Sequence, residues 1–172
     1  ESDKVGYVPE KTSLMLHAEA IKNAAADAGI AIRDIEAVFS AGGVPGMQSP
    51  GLAEYLGIHP RFTDSTNTGG PSLEVHAEHA AAAINAGLCD VVVSVYASTR
   101  RSDRKKNRAF GRPQFGGPNP MLEWEMPYGL RMPMGPYALA ASRHMADFGT
   151  TSEQLAQIAV STRQWATMNP NA

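Results

Sequence analysis

The sequence predicts an α/β protein with a mainly parallel sheet, because segments of helical periodicity alternate with short apolar runs. Candidate strands lie near residues 35–39, 61–64 and 91–97, with helical patterns before the first and between the others. The run at 91–97 is apolar at nearly every position, which is typical of a strand covered on both faces in the centre of a sheet. This order of strands and helices predicts right-handed crossovers between parallel strands.

Two amphipathic helices are predicted in the first part of the chain. Apolar residues recur at helical spacing over residues 14–28, between a candidate cap at Thr12 and a stop at Gly29. A long alanine-rich helix follows Pro71, and a short helical stretch at 52–56 joins the first two strands. The apolar face of the long helix is expected to consist of Leu73, Ala77, Ala80, Ile84 and Leu88.

The composition changes after residue 98, which divides the chain into three segments. Residues 1–98 are predicted to form the first part of an α/β domain, 99–136 an inserted loop region, and 137–172 the helices that follow it. The run at 100–108 holds six basic residues and one acidic residue, which indicates a solvated charged loop. Two helices are expected in the last segment, the second with a capping-box spacing that begins at Thr150.

Composition and charge exclude several classes of protein. The 172 residues, with 43% hydrophobic and 19% charged side chains, suffice for one well-buried globular domain. A net charge of −2 gives no general reason to expect a nucleic-acid or membrane surface. No apolar run approaches the roughly 18 residues of a membrane span, and the first residues lack a signal-peptide core, so we expect a cytoplasmic protein. The single cysteine, Cys89, cannot form an internal disulfide or begin a zinc site, so no metal is expected.

Several segments resemble the thiolase superfamily. Residues 65–72, then 80–87 and 89–98, resemble the nucleophile loop, helix and strand of thiolases, in particular of the sterol-carrier-protein-type branch. Residues 136–151 and 165–172 are similar to the segment that follows the loop domain of that branch. These matches run from about Thr12 to the last residue, in the order and at the spacing of the family.

The resemblance implies a thiolase-like layered fold of two similar α/β halves, of which this chain supplies the N-terminal one. Nothing in the sequence matches the second half, with its histidine-containing loop and second catalytic cysteine. The resemblance further implies a CoA thioester as substrate, no covalently bound cofactor, and a homo-oligomer formed through the thiolase-type interface. Some members of the branch also act with a small CoA-binding partner protein.

The nucleophile expected of a thiolase is missing. A thiolase needs a thiolate at a helix N-terminus, where backbone N–H groups and the helix dipole lower the thiol pKa. Asn67 and Thr68 stand at that turn and are poor substitutes, while Cys89 lies at a helix-to-strand junction where a small side chain is expected to pack. The sequence therefore identifies no catalytic residue.

A substrate-binding turn is nevertheless expected. The pair Gly69-Gly70 is either a plain turn or a backbone nest of donors for an acyl carbonyl, and the resemblance favours the nest. Tyr96, near the carboxyl end of a strand, is a candidate lining residue that core packing explains equally well. His76 and His79 are expected to be packed or hydrogen-bonded. The predicted substrate-binding residues are Asn67, Thr68, Gly69, Gly70, Ser72 and Tyr96.

The basic run has a second interpretation besides a solvated loop. CoA carries three phosphates, which a basic segment beside the site would attract. A nucleic-acid surface is disfavoured, because no aromatic residue is interleaved in the run. The candidates for CoA phosphate contacts are Arg100, Arg101, Arg104 and Lys105.

Two classes of function remain open. The first is an enzyme that cleaves a β-hydroxy acyl-CoA by retro-aldol chemistry without a cysteine nucleophile, in lipid or steroid side-chain degradation, or a relative of acetyl-CoA acetyltransferase. The second is a catalytically silent acyl-CoA-binding or scaffold subunit. A retro-aldol cleavage needs only a base and stabilisation of an enolate, which suits this sequence better than acetyl transfer. The same resemblance predicts that an isolated half exposes an apolar helix face and associates through it.

Overall fold

The computed structural model divides the chain into two compact units, Glu1–Arg112 and Pro113–Ala172, which are described separately. The structure describes residues 1–42, 48–105, 121–130 and 133–170.

The first unit contains a three-stranded parallel sheet. Strand β1 (Ala37–Ser40) lies in the centre, between β2 (Phe62–Asp64) and β3 (Val92–Val95). Ala37 pairs with Phe62 on one side and with Val92 on the other, and both pairings are parallel. The predicted α/β class and the parallel sheet are thus confirmed.

The predicted place of the third strand is wrong. In the described sheet β3 forms an edge, and β1 is the strand whose four residues are all buried. An apolar run indicates that both faces of a strand are covered by helices. It does not indicate whether a neighbouring strand pairs with each of its two edges. Ser94, the one polar residue inside β3, is exposed at that edge.

Helices cover both faces of the sheet. Helices α1 (Ser13–Asp27) and α2 (Gln48–Leu56) lie on one face, and α3 (Ser72–Asn85) lies on the other. The crossovers through α2 and α3 traverse the sheet in opposite directions on opposite faces. Both therefore have the same hand, as the right-handed rule requires.

The alternation of side chains along β1 divides the core in two. Val38 packs with Ile21 of α1 and Leu52 of α2, whereas Phe39 packs with Ala83 of α3 and with Cys89. Successive residues of a strand point to opposite faces, so one short strand anchors both layers. Cys89 is 1% exposed, which confirms that it packs in the core.

The predicted apolar face of α3 is not the buried one. Ser72, His76 and Ala83 are buried, whereas Leu73 is 44% exposed, and Ile84 and Leu88 are also exposed. The helix is rich in alanine, so more than one stripe has the spacing of a core face. The structure selects the stripe whose serine and histidine find hydrogen-bond partners, which hydrophobicity alone does not reveal.

The basic run begins as a helix and not as a solvated loop. Helix α4 (Arg100–Lys105) packs on the amino-terminal segment, where the Val8 N–H donates to Oγ of the buried Ser102 at 2.9 Å. Lys105 Nζ lies 4.5 Å from the centre of the Tyr7 ring. Residues 106–108 of the run lie outside the described residues, as does the Arg104 side chain.

The second unit is helical in its described parts. A π-helix (Met121–Glu125) and a 3₁₀ helix (Met126–Tyr128) precede α5 (Met134–Phe148) and α6 (Ser152–Ala166). The two closing helices are confirmed, but each begins earlier than predicted. Residues 106–120 of the loop expected at 99–136 lie outside the described part.

The capping box of α6 starts one residue later than predicted. Thr151 Oγ1 accepts from the Gln154 N–H, and the Gln154 side chain accepts from the Thr151 N–H at 2.8 Å. Three consecutive Ser or Thr residues followed by Glu and Gln allow two registers of the same motif. Neither α5 nor α6 has a buried residue, and their exposed apolar side chains include Tyr137, Leu139, Phe148, Ile158 and Trp165.

Among the described residues, no helix combines the length and the apolar composition needed to cross a membrane.

Candidate functional site

The carboxyl ends of the three strands gather polar side chains from three helix N-termini. Ser13 Oγ at the start of α1 donates to the carbonyl of Ala97, just after β3, at 3.0 Å. Ser49 Oγ near the start of α2 donates to the carbonyl of Asp64, the last residue of β2. Ligands of open α/β sheets bind at this edge, so the candidate site is built from it.

Asp64 ties the end of β2 to α3. Its Oδ1 accepts from the Thr66 N–H at 2.8 Å and from the Thr66 hydroxyl at 2.7 Å, while Oδ2 accepts from His79 Nδ1 at 2.5 Å. Partial burial acts to raise the pKa of Asp64, but the hydrogen bonds from His79 and Thr66 outweigh it and lower the pKa to about 2. The carboxylate is therefore ionised throughout the physiological range.

His76 ties the same segment to β3. It is fully buried, and its Nε2 lies 2.9 Å from the carbonyl oxygen of Thr66, while its Nδ1 lies 3.0 Å from Ser94 Oγ. A carbonyl oxygen only accepts, so Nε2 donates to the Thr66 carbonyl, while Nδ1 shares a hydrogen bond with the Ser94 hydroxyl. The expectation that His76 and His79 are hydrogen-bonded is confirmed.

The predicted substrate-binding turn forms one hydrogen-bonded unit before α3. The Thr68 N–H donates to Ser72 Oγ at 3.0 Å, and the Gly69 N–H donates to Asn67 Oδ1 at 3.1 Å. Ser72 Oγ donates in turn to the Gly69 carbonyl at 2.7 Å. Of the amides at 68, 69 and 70, only that of Gly70 has no acceptor within the described residues, so the turn has one unoccupied N–H donor.

The two glycines of the turn are not equivalent. Gly69 has a φ of 84°, which side chains rarely adopt, whereas Gly70 is not among the glycines with positive φ. A Cβ added to either would meet no atom within 4 Å. The Gly70 position is therefore open to solvent and to a ligand, and only Gly69 is required by backbone geometry.

Tyr96 occupies another part of the same edge. Its ring is 51% exposed and lies against Gly42, where an added Cβ would come within 2.6 Å of Cε2. Gly42, with a φ of 71°, permits this close approach between the ends of β1 and β3. Residues 43–47, which follow Gly42, are outside the described part.

His17 is a part of this edge that the sequence reasoning missed. It is fully buried, with Nδ1 2.7 Å from the carbonyl oxygen of Ser13 and Nε2 accepting from the Ala97 N–H at 3.1 Å. Burial lowers the pKa of His17, and the N–H that faces Nε2 also opposes a second ring proton. The available signal was its position three residues after Leu14 and four before Ile21, on the apolar face of α1.

Two buried polar atoms at this edge have no partner in the described part of the chain. They are Ser40 Oγ, at the end of β1, and Gln48 Oε1, at the start of α2. Buried polar atoms are nearly always hydrogen-bonded, so the edge has capacity to bind water or a polar ligand.

The other candidates belong to other elements than the turn. Burial raises the pKa of the Cys89 thiol, which is packed under β1 and does not face the carboxyl edge. Arg100, Arg101 and Lys105 belong to α4, which follows β3 by a few residues, and the Arg101 guanidinium lies beside Gly6. In the described ranges, no three His, Cys, Asp or Glu side chains come together as metal ligands would.

One open groove lies away from this edge. It is formed where α2 ends and β2 begins, and is lined by Ala53, Glu54, Ile58, His59, Pro60 and Thr63. It is close to the amino ends of the strands, where parallel sheets rarely bind ligands. We therefore place the candidate site at the polar carboxyl edge.

Fold and geometry together define an α/β protein whose candidate site lies at the carboxyl edge of a parallel sheet. No family model matches the chain. Over 169 residues it is 28% identical to a steroid side-chain-cleaving aldolase of Thermomonospora curvata, a match that covers 94% of this chain and 42% of that protein. The same figures hold for a 17-hydroxy-3-oxo-4-pregnene-20-carboxyl-CoA lyase of Mycobacterium tuberculosis. The chain thus spans about two fifths of the length of these relatives.

A solved structure and a shorter match extend the comparison. The chain superimposes on the Ltp2-ChsH2(DUF35) aldolase with a TM-score of 0.78 and 29% identity, over 95% of this chain and 41% of that one. An acetyl-CoA acetyltransferase of Methanothermobacter thermautotrophicus is 46% identical over 50 residues, which is 29% of this chain and 13% of that protein. The chain is therefore similar along nearly its whole length to aldolases and lyases, and over a short stretch to an acetyltransferase.

Proposed function

We propose that this chain is part of an acyl-CoA lyase that cleaves a carbon–carbon bond of a β-hydroxy acyl-CoA by retro-aldol chemistry, in steroid or lipid side-chain degradation. The observation that carries the proposal is the match over 94% of the chain to two relatives named for such cleavage. That match includes the turn at 67–72, where no cysteine is present.

Retro-aldol cleavage is compatible with this turn. A base removes the proton of the β-hydroxyl, the Cα–Cβ bond breaks, and its electron pair passes to the thioester carbonyl as an enolate. Protonation at Cα then gives a shortened acyl-CoA and a carbonyl product. No acyl-enzyme forms, so Thr68 need not be a nucleophile. What the step needs is a donor at the thioester oxygen, and the unoccupied Gly70 N–H at the start of α3 supplies one.

The proposal includes a larger assembly than this chain. We place the chain as the N-terminal half of a thiolase-like layered fold, completed by a second half and assembled as a homo-oligomer. The superposition on 41% of the solved aldolase supports the part of this proposal in which a further half completes the fold. The two components named in that structure support a CoA-binding partner protein. In this arrangement Arg100, Arg101, Arg104 and Lys105 remain candidates for the CoA phosphates, and Tyr96 for the acyl chain.

A second candidate is acetyl transfer, favoured by the short match to the acetyl-CoA acetyltransferase. It requires an activated thiolate, and the one cysteine of the chain is 1% exposed with a raised pKa. The first proposal is therefore the stronger. A catalytically silent acyl-CoA-binding subunit would use the same turn without a base.

The test is an assay of three preparations with a steroid β-hydroxy acyl-CoA and, separately, with acetyl-CoA. They are this chain alone, the chain completed by a second thiolase-like half, and the completed protein with a CoA-binding partner. We expect a carbonyl product and a shortened acyl-CoA only from the completed preparations. Acetoacetyl-CoA formation would support acetyl transfer instead, and tight binding without any product would support the silent subunit.

A further inference from the structure

We propose that His76, His79 and Asp64 are positioning residues that hold Thr66, and through it the donor turn at 67–70, against the end of the sheet. The proposal rests on the proposed function for the ligand that the turn receives. It assigns no proton transfer to either histidine.

Every polar group of Thr66 is engaged by this set. Its N–H and hydroxyl both donate to Asp64 Oδ1, and its carbonyl accepts from His76 Nε2. Three hydrogen bonds on one residue leave its backbone little freedom to rotate. Thr66 directly precedes the turn, so its orientation sets the direction in which the turn leaves β2.

Each histidine is itself fixed from a second element. His76 is hydrogen-bonded to Ser94 of β3, and His79 donates to Asp64, the last residue of β2. Both histidines belong to α3. The set therefore joins β2, α3 and β3 at one point, immediately before the turn.

The bonds within the turn cannot replace this anchor. The Thr68 N–H donates to Ser72, the first helical residue, and the Gly69 N–H donates to Asn67 inside the turn. These bonds fix the shape of the turn and not its place relative to the sheet. The direction of the Gly70 N–H then depends on how the two ends of the turn are held, by Thr66 before it and by α3 after it. Loss of the Thr66 anchor should let the turn and its donor move relative to the sheet, although the bonds within the turn remain.

Paired variants separate positioning from general structure. His76→Leu removes the donor to Thr66, whereas His76→Gln retains an N–H near the place of Nε2. His79→Ala and His79→Asn form the same pair at a half-exposed site, where both variants should fold even if His76→Leu does not. His59→Gln is the matched control, since His59 is exposed and lies near the other edge of the sheet.

The first measurement uses this chain and needs no activity. Amide order parameters at residues 67–70 should fall from about 0.85 towards about 0.6 or below in the Leu and Ala variants. They should recover in the Gln and Asn variants and stay unchanged in the control. Unchanged order in folded Leu and Ala variants would overturn the proposal, as would loosening spread evenly over the first unit.

The second measurement uses the completed enzyme. Turnover (kcat) should fall roughly ten- to a hundredfold in the Leu and Ala variants with KM changed less than about threefold, because misplacement affects the transition state more than binding. Recovery in the conservative variants is expected, and equal losses in both members of a pair would contradict positioning. An inactive wild-type enzyme would refute the proposed function alone, and the amide measurement would still decide the role of the histidines.

Discussion

Nε2 of His17 accepts a hydrogen bond from the backbone N–H of Ala97 at 3.1 Å, so a buried imidazole joins α1 to the end of β3. The ring donates through Nδ1 to Ser13, which leaves no place for a second ring proton without breaking the bond to Ala97. The junction therefore requires a neutral histidine.

This requirement predicts loss of stability in mild acid. Burial lowers the pKa of His17 in the folded state below the unfolded value of about 6.5, so below that pH the unfolded chain binds more protons than the folded chain. Stability should be independent of this group above pH 6.5 and should fall as the pH decreases below it, by at most about 1.4 kcal/mol per pH unit. Urea unfolding between pH 5 and 8, compared with His17→Gln, isolates the effect. Identical slopes in both proteins would refute it.

The Asp64 carboxylate should titrate far below the ordinary range. Its pKa of about 2, against an unperturbed 3.8, reflects the hydrogen bonds from His79 and Thr66 that outweigh partial burial. A lowered pKa means that this group stabilises the fold above pH 3.8 and that the contribution is lost as the pH falls towards 2. Carboxyl NMR titration should place the wild-type midpoint near 2 and move it towards 3.8 in His79→Ala. A wild-type midpoint near 3.8 would contradict this account.

Cys89 should be dispensable and slow to react. It packs against Phe39 with 1% exposure and a raised pKa, so little thiolate is available. Cys89→Ala should keep turnover within a few-fold and lower stability by about 1 kcal/mol. Thr68→Cys in the Cys89→Ala background supplies a matched exposed thiol, which a disulfide reagent should modify much faster than native Cys89. Equal modification rates would show that Cys89 is accessible.

The two glycines of the turn should respond differently to alanine. Gly69→Ala places a side chain at a φ of 84° and should lower stability by about 1–2 kcal/mol. Gly70→Ala has free space and an ordinary φ, so it should melt like wild type but weaken acyl-CoA binding by crowding the donor N–H. Thermal melting and calorimetric titration of both variants test this contrast. Full affinity in Gly70→Ala would make the turn purely structural.

The helices and the parallel strands could be predicted from the sequence because local patterns define them. The first helix, expected over 14–28, is observed as Ser13–Asp27, and Gly29 follows its end with a φ of 68°. The strand expected at 61–64 is observed as Phe62–Asp64. Apolar periodicity and caps act within a few residues of the chain, so one sequence is enough to detect them.

The side chains that build the site could be predicted only in part. The sequence indicates a turn at 67–72, whose role in binding stays a prediction, but the hydrogen bonds of His76 depend on Thr66 and Ser94, which lie ten residues before it and eighteen after it. Because a histidine is polar, it is not expected on the buried face of a helix unless its hydrogen-bond partners are known. The buried face of α3 was therefore predicted on the wrong stripe. Leu73 and Ile84 matched the expected period equally well and are exposed.

The central place of β1 has a consequence for the order in which the chain folds during synthesis. Ser40 pairs with Val95, so β1 leaves the ribosome long before its second neighbour exists. At ~5–20 residues per second, the roughly 55 intervening residues take about 3–11 seconds to add. During that interval the most buried of the described strands lacks its pairing with β3, and one of its backbone edges is open to other chains. Chaperone binding near residues 37–40 of stalled nascent chains should therefore end once β3 has emerged.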